Sequence, residues 1–184
     1  MFKILGDSLT SLILSCSVPG LPVDLVEAIV QTESAGYVYA LSGSYEYSNY
    51  YLLPKNRAEV GHAYSVAHHS LKHQINISIG LMQVNSVHIQ NMKSDEVVVY
   101  DPCNNIMIGS AVLKEILQRV CPERINDECI KPGLRQYNTG RTNPSTVGNA
   151  YVDKVMQNLP KKRTYQLTQN NSLFLHDPRR KSTF

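Results

Sequence analysis

The chain has 184 residues, 42% of them hydrophobic, and a net charge of +3, enough for one domain with a full apolar core. No uninterrupted apolar run approaches the roughly 20 residues that cross a bilayer, which excludes an integral membrane protein of the usual helical kind. The positive charge is concentrated in residues 161–184, with six Lys/Arg against one Asp, so residues 1–160 are slightly acidic and a nucleic-acid-binding core is excluded.

Residues 3–15 carry Ile4, Leu5, Leu9, Leu12 and Ile13 at near-helical spacing, predicting a short first helix. As an export signal the stretch is poor, since Asp7 and several Ser and Thr break its apolar character and no small-residue cleavage site follows. Ile13-Leu14-Ser15-Cys16 loosely resembles a lipoprotein processing site, so residues 1–15 read either as a helix or as a degenerate signal segment. Pro19 and Gly20 then break the chain.

The next stretch, PVDLVEAIVQTESAG, predicts an amphipathic helix bounded by Pro22 at its first position and Gly36 just past its end. At about 100° per residue, Glu33 falls within about 20° of Val26 and about 40° of Ile29, so it points inward with the apolar stripe. Burial and the negative end of the helix dipole both disfavour its ionised form. A carboxyl group that keeps its proton near neutral pH is what a general acid requires.

YVYALSGSYEYSNYY follows, readable as a loop or as a short hairpin whose tyrosines either border a groove or cover the core. From Asn56 to His73 a weak apolar stripe suggests a helix. His69 and His73 are spaced to clamp a metal, but no carboxylate or Cys completes the set, so no metal is expected. In NISIGLMQVNSVHI, residues 76–89, Gly80 marks a special backbone position, and Gln83 and Asn85 set two amides in an apolar wall, suited to sugar hydroxyl and acetamido groups. Val97 to Tyr100 is β-like, with Asn104 read as the cap of a strongly apolar helix over 105–120.

Four cysteines, Cys16, Cys103, Cys121 and Cys129, lack zinc-site spacing; an even count with wide separations fits two disulfides and an oxidising compartment. A local bridge across the Cys121–Cys129 loop is sterically reasonable. Leu134 to Gly140 predicts a short helix ending in Tyr137 and Asn138, and residues 147–159 a last amphipathic helix stopped by Pro160. Residues 161–184 are polar and basic and read as a disordered tail.

ESAG at a helix end, GLMQVN, YDPCNNIMIGSAVLKEIL and YNTG occur in one order, and together they resemble the catalytic domain of the soluble lytic transglycosylases. The likeness is nearest the type IV secretion and conjugation-associated branch. It implies a mainly α, lysozyme-like bilobal domain over residues 16–160, with a short hairpin or irregular loop bordering a glycan-binding cleft. On this resemblance Glu33 is the single catalytic acid/base, no cofactor is needed, and peptidoglycan strands are the substrate. Gln83, Tyr137 and Asn138 match motif residues beside the catalytic Glu, Ser42 matches more loosely, and Asn85 joins them as a substrate-binding candidate. Cys16 and Cys103 match cysteines that recur in the secretion-associated branch, and are expected to pair.

The resemblance places the protein in the periplasm or cell envelope, with secretion components as partners and no nucleic acid. Two departures stand out: ESAGY replaces the usual ES-G-F, and 37 residues separate Ser42 from Gly80. Glycosidases that hydrolyse flank the bond with two carboxylates. The nearest second candidate is Glu46, which keeps a hydrolytic muramidase as the alternative, beside a non-catalytic glycan-binding assembly component.

Overall fold

The computed structural model describes residues 2–45 and 48–160. The proposed tail, 161–184, and the alternative carboxylate, Glu46, lie outside the described residues. Among the described residues the chain is mainly helical with one small antiparallel sheet, as a lysozyme-like fold requires.

Five helices form the larger lobe: α1 (Asp7–Cys16), α2 (Val23–Ser34), α6 (Pro102–Val120), α7 (Asp127–Thr139) and α8 (Thr146–Asn158). They close around one apolar core in which Leu9, Ile13, Val26, Ile29, Val30, Leu113, Leu134 and Val155 are buried. The second lobe packs α3 (Arg57–Lys72), α4 (Ser86–Asn91) and α5 (Glu96–Tyr100) with four strands, β1 (Leu41–Tyr45), β2 (Ser48–Leu52), β3 (Ile77–Ile79) and β4 (Val84–Asn85). The strands run antiparallel in the order β2-β1-β3-β4, with Ser42 opposite Tyr51 on one side and Ser78 on the other. Of the two readings of the Tyr- and Ser-rich stretch, the hairpin is the one found.

Several local expectations change. The first helix starts at Asp7 rather than residue 3, because Lys3 pairs with Tyr37 in an antiparallel bridge and the Ile4 N–H donates to the Gly36 carbonyl at 2.9 Å. Pro22 is the residue before the first helical turn of α2, not its first member. Val97 to Tyr100 is helical although three consecutive valines favour a strand. Asp95 caps the turn by accepting from the Val98 N–H (2.9 Å), and burial falls on Glu96, Val99 and Tyr100, the spacing of one helix face.

Asp101, not Asn104, caps α6; it accepts from the Asn104 N–H at 2.9 Å, and Pro102 takes the first position, where no N–H is needed. The short helix before Gly140 begins seven residues early, at Asp127, capped by Asn126. Pro132 is tolerated inside it because the bond it cannot make falls on the carbonyl of Glu128, an exposed residue of the first turn that water can serve.

Both disulfides are present. Cys16–Cys103 joins the end of α1 to the first turn of α6, and Cys121–Cys129 closes the loop between α6 and α7. The lobes meet along α6, where Asn105 is buried. Its Nδ2 donates to the carbonyls of Ile79 (2.9 Å) and Val99 (3.0 Å), while its Oδ1 accepts from the Met82 N–H (2.8 Å). Gly80, at φ +82°, is compulsory above it: a Cβ there would lie 2.0 Å from the Asn105 amide nitrogen.

Candidate active site

Glu33 stands in the last turn of α2, which ends when Ala35 turns left-handed (φ 49°, ψ 29°). Gly36 continues the turn at φ +81°, and its missing Cβ leaves room for the Ile4 carbonyl, which a side chain would meet at 2.4 Å. Ser34 ties this end to the turn between β3 and β4: its buried hydroxyl donates to the Leu81 carbonyl (2.8 Å) and accepts from the Gly36 N–H (3.2 Å). Thus three residues of ESAG are spent on aiming the fourth.

The Glu33 side chain is half-buried between the lobes, and the Tyr151 hydroxyl from α8 donates to its Oε1 at 2.7 Å. Burial pushes its pKa from 4.5 up to about 7, and the Tyr151 hydrogen bond, which favours the carboxylate, pulls part of the way back. The Tyr51 hydroxyl, reaching over from β2, donates to the Glu33 backbone carbonyl and ties the hairpin to the helix end. The carboxyl group therefore stays proton-loaded up to neutral pH, in a fixed position.

Around it, the GLMQ segment makes a turn with Gln83 itself at φ 48°. The Gln83 amide donates to the carbonyls of Gly80 (3.0 Å) and Ala40 (3.3 Å), and its Oε1 accepts from the Ser42 hydroxyl at 2.7 Å. Tyr137, on α7, donates to the Met82 carbonyl at 2.9 Å, and burial together with the nearby Glu33 raises its phenol well above the usual range. A cleft of about 400 Å³ runs between the lobes, and the six residues singled out from the sequence, Glu33, Ser42, Gln83, Asn85, Tyr137 and Asn138, all line it. Glu33 is the only carboxylate among the described residues that do so.

Three residues with parts in this arrangement escape the motif reading. Tyr151 reads as one apolar member of the last helix, although a buried tyrosine hydroxyl usually has a partner and its presence there is the available signal. Asn105 hides beside the wrongly chosen cap, and Tyr51 is one of several tyrosines with nothing to distinguish it. His69 on α3 and His73 just past its end bring their rings together, with centroids 4.4 Å apart, and no group of three metal-ligating side chains occurs among the described residues.

A bilobal helical domain that sets a proton-loaded carboxyl in a polar cleft between its lobes belongs to the lysozyme-like, glycan-cleaving class. The family model described as Transglycosylase SLT domain matches residues 16–151, and the chain belongs to that family, the lytic transglycosylases acting on peptidoglycan. Comparison with curated proteins and with solved structures returned no match.

Proposed function

We propose that this protein cleaves the β-1,4 bond between N-acetylmuramic acid and N-acetylglucosamine and leaves a 1,6-anhydromuramyl end, using Glu33 twice. The protonated Glu33 gives its proton to the glycosidic oxygen as the C1–O bond breaks. The resulting carboxylate then takes the proton of the muramyl 6-hydroxyl as that oxygen bonds to the anomeric carbon. No water is consumed, and Glu33 ends the cycle protonated. The observation that carries this reading is a cleft carboxyl with its pKa pushed up to about 7, high enough to donate and low enough to accept near neutral pH.

The other residues have supporting parts. Gln83 holds the Ser42 hydroxyl at the cleft wall, Tyr151 orients the carboxyl group as a positioning residue, and Tyr137, Asn138 and Asn85 border the sugar. Residues 16–160 form the transglycosylase unit, to which α1 contributes the buried Leu9 and Ile13. Two disulfides suit an oxidising compartment, and no described helix is long and apolar enough to cross a membrane. The disulfides support action in the periplasm or cell envelope. The motif order and the Cys16–Cys103 pair support service to a type IV secretion or conjugation apparatus that needs the wall opened locally.

Glu33→Gln tests the assignment. Cleavage of purified peptidoglycan is expected to fall by about 10²- to 10⁴-fold or more, with the fold intact by circular dichroism. Undiminished cleavage would remove Glu33 from the chemistry.

A further inference from the structure

The cleft's polar groups divide into those already engaged and those left to meet a ligand. Gln83 uses both amide hydrogens on backbone carbonyls. Asn85 caps α4 by accepting from the Val87 N–H (3.0 Å) and donates its Nδ2 to Asn76 Oδ1 (2.8 Å). These two amides spend their donors on holding the wall together and keep only acceptor capacity for a sugar.

His88 differs. It stands on α4 one turn beyond the Asn85 cap, half-buried, with the adjacent Ile89 fully buried in the small-lobe core and holding the helix in place. Among the described residues its ring makes no hydrogen bond or ion pair, and it is the only basic side chain lining the cleft. Amides and hydroxyls suffice for a neutral glycan backbone. An imidazole, which donates N–H bonds and can carry positive charge, suits an anion.

The charges nearest such a backbone are carboxylates attached through the lactyl ether of muramic acid: the lactyl acid itself where the peptide has been removed, or the acids of the peptide where it remains. We infer that His88 is a specificity-determining residue that reads a carboxylate borne on the muramyl lactyl group, so that strands carrying this acid are cut in preference to neutral ones. The inference rests on the proposed peptidoglycan chemistry and adds to it which feature of the strand is selected. A charge-assisted hydrogen bond at a half-buried site is worth about ten-fold in selectivity.

The test compares kcat/KM of the wild type, His88→Gln and His88→Lys on three preparations, each followed by release of anhydro-ended fragments. The first is intact strands, the second intact strands whose carboxyls have been converted to primary amides with carbodiimide and ammonia, and the third strands stripped of peptide by an amidase. The wild type is expected to prefer intact or stripped strands over amidated ones by about ten-fold, His88→Gln to bring that ratio close to one, and His88→Lys to restore it. Preference for stripped strands assigns the lactyl acid as the group recognised; preference for intact strands alone assigns the peptide acids. Because the readout is a ratio, partial loss of folded enzyme cancels. An unchanged ratio in His88→Gln, or no preference in the wild type, overturns the inference and leaves the proposed reaction standing. Absence of anhydro-ended fragments from the wild type on all three overturns both.

Discussion

A carboxyl group that releases its proton at about 7 instead of 4.5 marks stability as well as rate. Between those two values the folded chain holds a proton at Glu33 that the unfolded chain has lost, so this group makes stability fall as pH rises through the window. Glu33→Gln has no such slope. Relative to the wild type it is expected to be no more stable at pH 4 and more stable at pH 8, by on the order of 2 kcal/mol, since Glu33 keeps part of its surface in water. Urea melts at the two pH values decide it, and equal differences at both would show that the carboxyl group is not held proton-loaded. Tyr151 gives a complementary test. Its hydrogen bond favours the carboxylate, so in Tyr151→Phe the Glu33 pKa rises further and the alkaline limb of the kcat/KM profile moves to higher pH. A lower rate with an unmoved limb would leave Tyr151 with a packing role only.

The elements that carry these groups are joined by a few buried polar contacts and two covalent ties. Removing the Asn105 side chain leaves the Met82 N–H and the Ile79 and Val99 carbonyls without that partner, at a cost of about 3 kcal/mol in Asn105→Ala by chemical denaturation. The same change frees the turn whose Met82 carbonyl receives the Tyr137 hydroxyl, so activity is expected to fall with stability. The disulfides differ in what they constrain. Cys16–Cys103 spans a separation of 87 residues and Cys121–Cys129 one of 8. By loop-closure entropy, replacing the first pair by serines costs about 4–5 kcal/mol and the second about 2–3 kcal/mol. Equal losses would mean that native contacts, not chain entropy, set the difference.

Across the whole molecule, what could be read beforehand follows from where the information lies. The helices of the larger lobe are legible because burying one face imposes a stripe, as Ile106, Leu113 and Leu117 do on α6. Five of the six cleft residues are legible through motif order and Ser42 through a looser match, and the structure lines one cleft with all six. Alternation and propensity fail at α5, where three valines suggest a strand and a capping aspartate with a buried face makes a helix turn. The Glu33 to Tyr151 contact joins residues 118 positions apart and leaves no local pattern at either end.

Burial between elements distant in the chain raises the Glu33 pKa against the pull of the Tyr151 hydrogen bond, and the proposed chemistry depends on the proton it retains. Purified peptidoglycan digested to completion and examined by mass spectrometry is expected to yield fragments ending in 1,6-anhydromuramic acid, without incorporation of solvent oxygen when the digest is run in ¹⁸O water. Reducing muramyl ends carrying the solvent label would show that water, not the substrate's own hydroxyl, attacks the anomeric carbon, and would contradict a mechanism in which Glu33 serves as both acid and base.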